Sequence, residues 1–244
     1  MARGQLTEAS DDLYEAEAAL RRASLPLADV LLVEARLAYR RNDLPLVAAT
    51  RTLEDPESHP TPVHRAQVYL LRGEVACDTG NAAAAAEELS HLSQLTAAAG
   101  SPPIKAGVAH LNGRLHTLKN QPAAAGESFD QEAKLQQQSH RYPEMSIALL
   151  HAGEAYRKAA QPDLAGDRFY RAAASLVAQE KTGTALPALE SASMSARTAG
   201  NQRLLQLVVA LRAEIQQTRG SQRGRIHATS QPTTAHLEKP NDNR

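Results

Sequence analysis

Nine histidines, a single cysteine and a few adjacent carboxylates are the side chains in this chain that could carry chemistry. Their spacing decides whether they do. A metal held on one helix needs ligands one turn apart, because only side chains at i and i+4 share a face. No histidine pair meets that rule: His110 and His116 stand six residues apart, on different faces of one expected helix, and His64 and His91 fall in different helices. The carboxylate pairs Asp11-Asp12 and Glu87-Glu88 are expected in first turns of helices, where acidic groups favour the positive end of the dipole. Cys77 has no partner for an internal disulfide and reads as a small, semi-apolar helix residue. There is no glycine-rich phosphate loop, no nucleophile elbow and no Cys/His set at metal-binding intervals. The sequence therefore predicts a non-enzymatic protein with no catalytic residues, no metal site and no cofactor.

The elements that would position these groups are written into the chain as a repeat. Gly73, Gly113 and Gly153 stand 40 residues apart, and Ser193 falls one interval further on. The same interval relates Gly80, Asn120, Ala160 and Gly200, then Ala85, Ala125 and Ala165, and then Leu89, Phe129 and Phe169. Such self-similarity marks a stacked array whose units cannot bury an apolar face alone. Prolines preceded by polar residues mark helix starts at Thr61-Pro62, Ser101-Pro102 and Gln161-Pro162. Asn42-Asp43, Gly80-Asn81, Asn120-Gln121-Pro122, Gln161-Pro162 and Gly200-Asn201 read as the short turns that join paired helices. First helices are predicted at 26–41, 62–78, 102–119, 143–159 and 184–198, and second helices at 43–54, 81–98, 122–138, 162–179 and 201–218.

This pattern of a small residue between two antiparallel helices, a turn, an alanine and an aromatic resembles the tetratricopeptide repeat. The fourth unit carries it best, through Gly153, Tyr156, Ala165, Phe169 and Ala172. The second unit has Ala76 and Leu89 in place of the aromatics, and the third has His116 and Glu132 at pattern positions. Ala35 heads an earlier unit, and the fifth, around Ser193, is degenerate apart from Gly200. The resemblance covers residues 25–218. Repeats of 40 residues exceed the usual ~34 and look like the kinesin-light-chain-like branch, which implies extended connections. The expected architecture is all-α: a right-handed α-solenoid of about five helix-turn-helix repeats. An N-terminal capping helix occupies residues 1–24, where Ala16, Leu20 and Ala23 repeat the second-helix spacing, and a disordered polar, basic tail occupies 219–244.

With 27 basic and 27 acidic side chains the formal net charge is zero, which argues against a nucleic-acid partner. Met1–Ser10 lacks the apolar run of a secretory signal, and no stretch of about 18 apolar residues is present to span a bilayer. The expected location is cytoplasmic, without membrane insertion.

The resemblance implies a concave groove lined by first helices. Residues three before, one after and four after each unit's glycine should face it. These are Leu70, Glu74 and Cys77, then His110, Arg114 and Thr117, then Leu150, Glu154 and Arg157. Members of the family that clamp a peptide's terminal carboxylates use Lys and Asn at such positions, and Leu70-Glu74 with His110-Arg114 speak against an acidic chaperone C-terminus here. Arg168 and Arg171, on a second helix, are expected on the convex side. The expected function is a scaffold or adaptor that binds a peptide or protein in the groove. The alternative is a regulatory sensor whose superhelix responds to a peptide or small ligand.

Overall fold

The computed structural model describes the backbone of residues 2–41, 45–95 and 100–229, and the side chains of 8–41, 49–95 and 100–217. Among the described residues all regular structure is helical. The elements are α1 (Ala2–Arg22), α2 (Ala28–Arg41), α3 (Pro45–Glu54), α4 (Pro62–Asp78), α5 (Ala82–Leu95) and α6 (Pro102–Leu118). They continue as α7 (Pro122–Gln138), α8 (Tyr142–Lys158), α9 (Pro162–Ala178), α10 (Thr182–Ala199) and α11 (Gln202–Thr229). No helix among the described residues is long and apolar enough to cross a membrane. Each helix packs chiefly on its chain neighbours, and α4 also touches α2 and α6. Buried apolar residues accordingly form successive clusters along the chain, from Leu27, Val30 and Leu31 at one end to Leu189, Val208 and Ile215 at the other. That is the organisation of a solenoid, in which a unit's core is completed by its neighbours.

The 40-residue repeat is two 20-residue halves. Helices begin at 102, 122, 142, 162, 182 and 202, and those starting between 102 and 162 each run 17 residues with three-residue links after them. The added length therefore lies in longer helices, not in the extended connections that the resemblance implies. Within the links that lead into α5 and into α7 to α11 the chain enters the left-handed region, with Gly80 at φ 73° and Gly200 at φ 70°. Asn120, His140, Ala160 and Glu180 take the same conformation at 53–61°. Helices start at Pro62, Pro102 and Pro162, as the polar-Pro signal predicts, and Thr61 also closes a capping box with His64. The turn expected at Asn42-Asp43 lies outside the described residues, apart from the end of α2 at Arg41.

Glycine lets the paired helices approach. A Cβ on Gly153 would lie 2.7 Å from Cε1 of Phe169, and one on Gly113 would lie 2.6 Å from Cε1 of Phe129. Each phenylalanine thus fills the space over its own unit's glycine. Ala85, Ala125 and Ala165 have no exposed surface, so the small residue of each second helix is buried in the helix packing.

Two expectations about helix positions need correction. Asp11-Asp12 and Glu87-Glu88 sit inside α1 and α5, not in their first turns. Glu88 is buried and takes an ion pair from Arg72 of α4 at 2.8 Å. Finally, α11 continues to Thr229, so the first eleven residues of the expected tail are helical, and 230–244 lie outside the described residues. At the N-terminus, Leu13 and Leu20 of α1 pack on Leu27, Val30 and Leu31. Arg21 bridges Glu17 and Asp55, which ties α1 to the end of α3.

Candidate functional site

The first helices α4, α6 and α8, with the start of α7, frame a cavity of about 490 Å³. It exists because unit three departs from unit two at one packing position. Over Gly73 sits Leu111, reaching from α6 and drawing α4 and α6 together. Over Gly113 the equivalent space is already taken by Phe129, and the residue corresponding to Leu111 is His151. His151 therefore lies on the Phe129 ring at 5.2 Å, and the gap between α6 and α8 stays open.

Of the residues nominated for the groove, Cys77, His110, Arg114, Thr117 and Glu154 line this cavity. Leu70, Glu74, Leu150 and Arg157 do not. Leu70 is packed against Gly107, in the seam between α4 and α6, because its side chain fills the room that the missing Cβ leaves. Leu150 packs against the core clusters of α8 and α9. Arg157 is exposed and pairs with Glu154 one turn back at 2.6 Å. Glu74 stands beside His110 and Arg114; burial holds its carboxyl above the ordinary range, and those two cations only partly offset it. Cys77 is buried, and burial pushes its thiol up, away from the reactive thiolate form.

Arg114 is less free than a groove charge was expected to be. It donates to Asp78 of α4, and Tyr39 of α2 donates to the same carboxylate at 2.5 Å, linking three successive first helices. Burial and that contact push the Tyr39 hydroxyl up to about 12, while both donors together hold Asp78 below its ordinary value against the effect of burial. Arg168 differs in the same way from its expected convex, exposed place. It is half-buried and makes two bonds to Asp130 of α7, at 2.7 and 2.8 Å, with Tyr156 donating to the same carboxylate at 2.9 Å. Arg171 is exposed as expected.

Sequence reasoning missed His151 and Lys158, which complete the cavity's polar lining, and Phe129, which forms its floor. It also missed a cluster at its edge. His110 Nδ1 lies 2.9 Å from Glu132 Oε2, and one nitrogen of His151 joins them, so that the three donor atoms lie within 4.8 Å of one another. These residues come from α6, α7 and α8. A search for ligands at i and i+4 on one helix cannot see them. The available signal was the repeat itself: Glu132 occupies the position of Leu92 and Ala172, both fully buried, and His151 that of Leu71 and Leu111. Glu132 is itself only 6% exposed. Burial lowers His110's pKa, but the hydrogen bond and charge of Glu132 outweigh it and hold it above the ordinary value. His151 is held below, by loss of hydration and by the charge of His110.

The fold and this face define an α-solenoid of tetratricopeptide-like helix pairs. Among solved structures, the chain is similar to the crystal structure of BtubC (BKLC) from P. vanneervenii, a kinesin-light-chain-like protein. The TM-score is 0.64, with 16% identity over 99% of this chain and 98% of that one, so the likeness is one of fold. No family model matches the sequence, and no curated protein does.

Proposed function

We propose that this protein is a non-enzymatic binding scaffold that takes a peptide or a protein segment along the face of its first helices, centred on the cavity between α6 and α8. The observation that carries this reading is the cavity's lining. Phe129, Leu118 and Pro122 offer an apolar floor, while Arg114, Lys158, Glu154 and Thr117 offer polar groups of both signs from successive units. Concave, largely apolar sites with a few placed polar groups are where ligands bind, and a stacked array extends such a site into a surface suited to an extended chain.

Arg114 is a poor probe of binding because it also holds α4. Thr117 and Lys158 are better, since both are exposed at the rim. Panning a random peptide library against the full chain yields the probe, and titration calorimetry then compares the parent with Thr117→Trp, which fills the cavity, and Lys158→Glu. The expected result is at least tenfold weaker binding to both variants at an unchanged melting temperature. Peptides that bind Thr117→Trp as tightly as the parent would place the site elsewhere.

A further inference from the structure

We infer that His110, Glu132 and His151 form a binding site for a divalent transition-metal ion, with zinc the best match to their chemistry. Two imidazole nitrogens and one carboxylate oxygen are a zinc donor set that leaves a fourth position open. Here the open side faces the cavity, which both histidines line.

The argument begins with the cost of Glu132. Units two and four place Leu92 and Ala172 at its position, with no exposed surface, so the repeat needs no polar group there. A carboxylate at 6% exposure loses hydration that a single contact with His110 at 2.9 Å only partly replaces. A cation bound by that carboxylate offsets the loss. His151 adds a second departure from the repeat at the same place, since Leu71 and Leu111 are buried at its position while His151 is turned out beside His110, their ring centroids 5.9 Å apart. Two departures from an apolar pattern, on α7 and α8, thus converge on one point beside His110 of α6.

The geometry is within reach. Ligands at about 2.0–2.1 Å from a tetrahedral ion lie roughly 3.3 Å from one another, against a present spread of up to 4.8 Å. Rotation of the exposed His151 side chain supplies most of that closure, and the ion replaces the proton shared between His110 and Glu132. Phe129, against both rings at 5.9 and 5.2 Å, restricts their orientations. Water fills the fourth position when the groove is empty, and a carboxylate or imidazole of a bound peptide can displace it.

The test uses the full, untagged chain, stripped with chelator and titrated with zinc alone by calorimetry, with metal content measured on the dialysed protein. The expected result is one zinc per chain, with a raised melting temperature. His151→Ala and Glu132→Gln should each weaken binding by more than the roughly 10–100-fold that loss of a merely supporting residue costs. His140→Ala, in the loop before α8, should bind as the parent does. Cobalt provides a second readout, because the tetrahedral ligand-field band should appear in the parent and vanish in His151→Ala. His151 is exposed, so that variant should fold normally, as far-ultraviolet circular dichroism would verify, even if Glu132→Gln does not. Absence of saturable zinc binding, or binding that survives His151→Ala unchanged, would overturn the assignment.

Discussion

Adding one methyl group at Gly153 tests the packing that makes the repeat. An alanine Cβ there would stand 2.7 Å from Cε1 and 2.8 Å from Cδ1 of Phe169, so the ring must move by several tenths of an ångström. Phe169 is 2% exposed and has nowhere to go without displacing its neighbours. Overpacking of this kind costs about 1–3 kcal/mol, against a helix-propensity gain of about 1 kcal/mol for replacing glycine. Gly153→Ala should therefore be destabilised by up to about 2 kcal/mol. Gly183, near the start of α10, is the control: a Cβ there meets nothing within 4 Å, and Gly183→Ala should be stabilised by about 0.4–1 kcal/mol. Phe169→Leu alone should destabilise, but it removes the clash, so Gly153→Ala should cost less in its presence than in the parent. The coupling is expected at about 1–2 kcal/mol, within the range for residues in contact. Urea unfolding of the four variants of that cycle, followed by circular dichroism, gives the numbers. Strict additivity, or stabilisation of Gly153→Ala by as much as Gly183→Ala, would refute the claim that the ring rests on that glycine.

Two further outcomes follow from the charged groups. Glu74 has its folded pKa raised, mainly by burial, so its contribution is fully present below the unfolded value of 4.5 and is lost as pH rises through the folded pKa. Glu74→Gln should accordingly melt above the parent at pH 7.5 and lose that advantage at pH 4; an equal gap at both pH values would point to packing instead of ionisation. Arg168→Ala leaves half-buried Asp130 with only Tyr156 as donor and should cost about 1–3 kcal/mol in urea unfolding. Arg171→Ala, whose nearest carboxylate is 3.9 Å away, should stay within about 0.5 kcal/mol, and matching losses would show that the Asp130 contact contributes nothing.

The fold was legible because close helix packing constrains a few positions in every unit. Gly153 with Phe169, and Gly113 with Phe129, face each other as a local requirement, so their spacing survives in the chain however the rest varies. Helix starts were legible at Pro62, Pro102 and Pro162 for the same reason: proline at the first helical position is a local preference. The groove was legible only in part. His110, Arg114 and Glu154 follow from helical periodicity about the glycine, but periodicity does not say how far α6 stands from α8. That distance depends on whether Phe129 or a residue of the next helix covers Gly113. The partners of Arg168, Arg114 and Glu132 likewise lie on other helices, 38, 36 and 22 residues away in sequence, and no local pattern names them.

A repeat does allow one inference across helices, which is to ask where it is broken. At Glu132 a carboxylate stands where the neighbouring units bury Leu92 and Ala172, and at His151 an imidazole stands where units two and three bury Leu71 and Leu111. Packing does not account for Glu132, because the leucine and alanine of the other units fill its position without leaving a charge to be neutralised. Phe129 links the two departures. By covering Gly113 from within its own unit it removes the need for an apolar residue at 151, opens the space between α6 and α8, and leaves two imidazoles and a buried carboxylate at its edge. The change from Leu89 to Phe129 between units two and three thus alters the spacing of the first helices and, with it, the chemistry that the groove can hold.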